Sequence, residues 1–163
     1  MTRKNEKIIA VPTNVITGFL GVGKTSTISH LLEQKPQHER WAILVNEFGD
    51  LAIDEDLIET TGENMISLAG GCVCCSFGSD LIAAMNALAR IEPPPNNVIL
   101  EASGVALPGA IAGTLSLLPS FTLDGVVVLA DAETVRQTAT DKYMADTITR
   151  QLADADIVLL NKT

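Results

Sequence analysis

Gly18-Phe19-Leu20-Gly21-Val22-Gly23-Lys24-Thr25 follows a short β-branched run, Asn14-Val15-Ile16-Thr17, and precedes a segment with Ile28, Leu31 and Leu32 at helical spacing. The octet matches the phosphate-loop pattern G-x-x-x-x-G-K-[ST], and it sits between a strand and a helix, where that pattern works. Its glycines let the backbone turn N–H groups inward around phosphate oxygens, and the following helix adds the positive end of its dipole. Candidate phosphate-binding residues are Gly18, Gly21, Val22, Gly23, Lys24, Thr25 and Ser26. Lys24 is placed to reach β and γ phosphates and Thr25 to hold Mg²⁺, so a nucleoside triphosphate is the expected ligand.

Outward from the octet, apolar runs at 41–45, 65–68, 98–100, 126–129 and 157–160 read as buried strands. Segments 24–34, 80–90, 108–118 and 141–154 read as helices between them. This alternation predicts an α/β fold with a mostly parallel sheet, right-handed crossovers and helices on both faces. Pro93-Pro94-Pro95 reads as a stiff connector, and His30 and His38 as surface residues. Residues 1–10 read as a flexible leader and 11–163 as one domain.

Composition agrees with this. The 163 residues are 47% hydrophobic but only 4% aromatic, so Val, Ile, Leu and Ala must build the core, as in buried parallel strands. A net charge of −9, with eleven scattered basic residues, argues against nucleic acid as a partner. No apolar stretch approaches the roughly 20 residues that cross a bilayer, and the N-terminus lacks a secretory apolar run. A cytoplasmic protein with no membrane partner is expected.

All three cysteines fall within Cys72-Val73-Cys74-Cys75. Thiols so close cannot staple distant segments, whereas thiolates are soft ligands for a transition metal, and three of them leave a tetrahedral ion one open position. Gly70-Gly71 allow a sharp turn that gathers the sulfurs. A redox pair or buried small side chains are the alternatives. Ligands of open α/β sheets bind beyond the carboxyl ends of strands, and Glu47 and Glu101 each end an apolar run. Glu101 is a candidate to hold Mg²⁺ or orient an attacking water, Gly104 to give an N–H to the γ phosphate, and Glu47, Asp50 and Asp54 to join the Mg²⁺ site.

The octet, Asn46-Glu47-Phe48-Gly49, Gly70-Gly71-Cys72-Val73-Cys74-Cys75, Glu101-Ala102-Ser103-Gly104 and Asn161-Lys162-Thr163 occur in the order seen in CobW-like GTPases. From about Pro12 to the last residue, the chain resembles the N-terminal GTPase domain of that family, whose relatives include UreG and HypB. The resemblance implies a SIMIBI-like P-loop fold and GTP hydrolysis with Mg²⁺. It also implies Zn²⁺ or Co²⁺ at Cys72, Cys74 and Cys75, delivered to a client metalloprotein or cofactor-assembly partner. Similar proteins continue Asn-Lys-x-Asp to read guanine. Here Asn161 and Lys162 are present and the aspartate is not, which implies a truncated chain with weakened guanine selectivity. The family's C-terminal domain, with a homodimer contact in the full-length protein, is expected beyond it. Two other readings stay open: a P-loop small-molecule kinase, and a metal-binding fragment that does not hydrolyse GTP.

Overall fold

A computed structural model describes residues 9–46, 58–60, 65–70 and 79–162. The expectations at Glu47, Asp50, Asp54, Cys72, Cys74, Cys75 and Thr163 lie outside the described residues. The elements run β1 (Val11–Gly18), α1 (Lys24–Glu33), β2 (Trp41–Asn46), β3 (Ile58–Thr60), β4 (Met65–Gly70) and α2 (Ser79–Ala89). They continue with β5 (Asn97–Glu101), α3 (Pro108–Leu115), β6 (Phe121–Asp131), α4 (Val135–Thr138), α5 (Ala145–Ala153) and β7 (Ile157–Asn161). The sheet order is β3-β4-β2-β5-β1-β6-β7. Among the described residues every pairing is parallel except β3 with β4, a three-residue antiparallel addition.

Strict alternation divides the apolar side chains between the two faces of the sheet. Val15, Ala42, Leu44, Val98, Leu100, Val126 and Val128 pack with Leu81, Ala84, Met85 and Leu88 of α2 and with Ile111 and Leu115 of α3. Ile16, Ile43, Ile99 and Leu129 face the other way, onto Ile28 of α1. Strands covered on both faces carry continuous apolar runs, which is why the runs were readable without a polar-apolar alternation. β1 begins three residues before the β-branched run and includes Pro12. The Val11 N–H bonds Ser120 on the β6 side, so the N–H that Pro12 lacks would point toward β5, which pairs with β1 only from Thr13 onward.

Helix ends differ modestly from the sequence expectation. α5 starts at Ala145 rather than at 141, because the Asp141 carboxylate accepts the N–H groups of Tyr143 and Met144 at 2.8 and 3.1 Å and holds a turn there. α3 closes at Leu115, and Leu117 and Leu118 continue in tight turns to Thr114 and Leu115. β7 is an edge strand whose five residues are all exposed, including Ile157, Val158, Leu159 and Leu160, although its composition reads as a buried strand. Among the described residues it pairs with β6 alone. No described helix is long and apolar enough to cross a membrane.

A candidate nucleotide site at the divergence of β1 and β5

β1 and β5 are neighbours, but the helices that follow them go to opposite faces, α1 to one and α3 to the other. The two connecting loops therefore part at the carboxyl ends of the strands and leave a crevice between them. An open cleft of about 400 Å³ lies there, lined by Leu20, Gly21, Gly23, Lys24, Thr25 and Ser26 on one side and Glu101, Ala102, Ser103 and Gly104 on the other. Gly104 meets the phosphate loop closely: a Cβ there would stand 2.9 Å from the Leu20 nitrogen.

At the head of α1 the chain turns through Gly23, whose φ of 98° suits glycine. No described side chain caps this helix and its first turn carries no acidic residue. Its leading N–H groups thus open onto the cleft with the positive end of the dipole, a ready anion site. Lys24 is buried, 9% exposed, and its Nζ donates to the carbonyls of Gly18 at 2.7 Å and Phe19 at 3.2 Å. Burial lowers its pKa from the ordinary 10.5, and the carboxylate of Glu101 pulls in the opposite direction.

Glu101 ends β5, buried at 7% exposure. Its Oε1 accepts the Thr25 hydroxyl at 3.1 Å, while its Oε2 is buried with no hydrogen-bond partner among the described residues. A buried carboxylate oxygen without a partner costs energy, and a divalent cation beside the Thr25 hydroxyl would satisfy it. Oxygen donors of this hard type suit Mg²⁺, so the residues present fit that ion.

Four of the expected binding residues, Gly18, Val22, Asn161 and Lys162, do not line the cleft. Val22 is 4% exposed in the α1-side core, and its carbonyl accepts the Asn161 side-chain amide at 2.9 Å. Asn161 is thereby stitched to the phosphate loop from the end of β7. Lys162, at φ 58°, reaches the Asp131 carboxylate at 3.0 Å, and that contact holds the Asp131 carboxyl below its usual range. Neither Asn161 nor Lys162 lines the phosphate cleft. Both histidines are exposed, as expected, with His30 against Gln34. Sequence reasoning missed Gln151, a buried amide that donates to the carbonyls of Gly104 and Ala106 at 3.0 Å each.

The family model described as CobW/HypB/UreG, nucleotide-binding domain, matches residues 12–163. The chain belongs to the CobW/HypB/UreG family. This CobW-family chain is 34% identical to the zinc chaperone CobW of Sinorhizobium sp, with 94% of the chain and 51% of the relative aligned. It is 36% identical to the zinc chaperone YeiR of Escherichia coli K12, over 93% of the chain and 46% of the relative. Among solved structures, the Zn(II)-bound YjiA GTPase from E. coli matches with a TM-score of 0.60 at 28% identity, covering 94% of this chain and 50% of that one. The CobW-family chain thus spans about half the length of the relatives it matches. The fold is that of a P-loop GTPase.

Proposed function

We propose that residues 11–163 form the GTP-binding and GTP-hydrolysing unit of a metal chaperone, in which nucleotide state sets metal affinity at Cys72, Cys74 and Cys75. The carrying observation is the pairing of the Thr25 hydroxyl with Glu101, whose second oxygen is buried and has no partner among the described residues, beside the head of α1, which no described side chain caps. The N–H groups from Gly21 to Ser26 cradle the phosphates, and Lys24 neutralises charge that develops on the transferred phosphoryl group. Thr25 and Glu101 hold Mg²⁺, with Glu47 and Asp54 as the further ligands. Mg²⁺, held there, would supply charge neutralisation at the phosphates. Glu101 also orients the attacking water, Gly104 gives its N–H to the γ phosphate, and Asn161 and Lys162 serve the base side. Glu101→Gln keeps the size of the side chain and removes its charge. It is expected to raise the Mg²⁺ concentration needed for triphosphate binding by about 10–100-fold, read from nucleotide affinity across a Mg²⁺ titration.

Zinc is the metal favoured by the names of CobW and YeiR and by the thiolate chemistry of the cysteine turn. The γ phosphate orders segments on both sides of that turn, hydrolysis releases them, and thiolate ligation follows that order. The protein hands its ion to a client metalloprotein. The test is a Zn²⁺ titration with Mg²⁺ and either a non-hydrolysable GTP analogue or GDP. Affinities differing by about 5–150-fold between the nucleotides are expected, with loss of tight binding in Cys72→Ala. Equal affinities in the two states sink the coupling, and an unchanged Cys72→Ala sinks the metal site.

A further inference from the structure

The loop leaving β5 crosses the cleft at Gly104 and enters α3 at Pro108. Helix α5 and its C-cap hold the outer side of this loop and the first turn of α3. Gln151 of α5, 1% exposed, spends both protons of its Nε2 amide on the carbonyls of Gly104 and Ala106 at 3.0 Å. Asp154, the C-cap residue of the same helix, accepts the Gly109 N–H at 3.1 Å. A buried amide is costlier than an apolar side chain of equal volume unless its donors are used, and here they are used on this loop. With its carbonyl taken, Gly104 keeps an N–H that has no acceptor among the described residues.

We propose that Gln151 is a positioning residue for the triphosphate state: it fixes the peptide of Gly104 so that its N–H meets the γ phosphate. This rests on the reading that Gly104 faces that phosphate. The contact runs through the peptide, since the Gln151 donors touch carbonyls and not the cleft. A diphosphate leaves the Gly104 N–H without its partner, so Gln151 acts on one nucleotide state and not on the other. A residue that only stabilises the fold affects both alike.

Gln151→Met has nearly the same length and no donor; Gln151→Glu has the same length and, ionised, only accepts, while protonated it can donate to one carbonyl and not to both. In both, affinity for a non-hydrolysable GTP analogue with Mg²⁺ is expected to fall tenfold or more, with GDP affinity within twofold of the unsubstituted chain. Parallel losses for the two nucleotides, or no loss, overturn the proposal. Hydrogen exchange on the unsubstituted chain gives a second measurement that needs no variant to fold. The analogue, and not GDP, is expected to slow exchange both at residues 104–106 and at residues 148–152 of α5. Protection of the loop without any response in α5 overturns the role of Gln151 alone. No preference of residues 104–106 for the analogue removes the γ-phosphate reading itself, and the proposal with it.

Discussion

Lys24→Ala is expected to lower GTP turnover by about 10²–10³-fold, the usual loss when one preorganised donor is taken from a developing anionic charge. Folding should survive. The amine is held in a buried position by two carbonyls, and its desolvation opposes the charged form, so removing it relieves a cost as well as a pair of hydrogen bonds. A circular-dichroism melt close to that of the parent, together with lost turnover, separates the two effects. The lowered pKa also gives a pH signature. In the nucleotide-free protein, the burial penalty on the charged amine applies below the folded pKa and is relieved as pH rises through it toward 10.5, so this group adds stability on the alkaline side. Phosphates raise the pKa again, so binding takes up a proton in that window and triphosphate affinity falls as pH rises. A flat affinity across the alkaline range would contradict the assignment of Lys24 to the phosphates.

The second large effect is on the fold. Gly18 ends β1 at φ 140°, and a Cβ there would run into the carbonyl oxygen of Leu129, its register partner on β6. That obstacle is backbone in the middle of the sheet and cannot swing aside. Gly18→Ala is expected to cost about 2–5 kcal/mol, the sum of a strained φ and an overpacked contact. Against a typical stability of about 5–15 kcal/mol this is a large fraction. A urea titration should show a lower midpoint with an unchanged slope. Gly21→Ala is the contrast: its φ of 77° is also positive, but a Cβ would meet nothing within 4 Å. Its cost should stay near 1–2 kcal/mol, on the order of one left-handed residue. Equal losses at the two positions would show that strand packing is not what Gly18 provides.

The sheet was legible because its strands are covered on both faces, so Val98-Ile99-Leu100 and its counterparts advertise themselves as unbroken apolar runs. β3 was not legible: three residues pairing antiparallel at an edge need no such run. α4 is a single turn, Val135–Thr138, with no buried residue and hence no apolar period to detect. At the site, Lys24, Thr25 and Glu101 were readable from motif and strand-end position, and the structure brings all three to one cleft. Gln151 was not, because nothing in Thr-Arg-Gln-Leu-Ala marks which polar residue of an amphipathic helix turns inward; only the carbonyls it meets, some 45 positions earlier, give it meaning. Asn161 was expected to serve a base, and what its amide touches in the structure is the Val22 carbonyl.

That last contact gives β7 a consequence for the rate at which nucleotide leaves. A strand with one neighbour among the described residues and both sides exposed is among the first parts of a sheet to open on its own. Here such opening would withdraw Asn161 from Val22 and slacken the loop around the phosphates. Fraying at the rim and departure of the ligand would then become one event, and whatever covered Ile157–Asn161 would act as a brake on exchange.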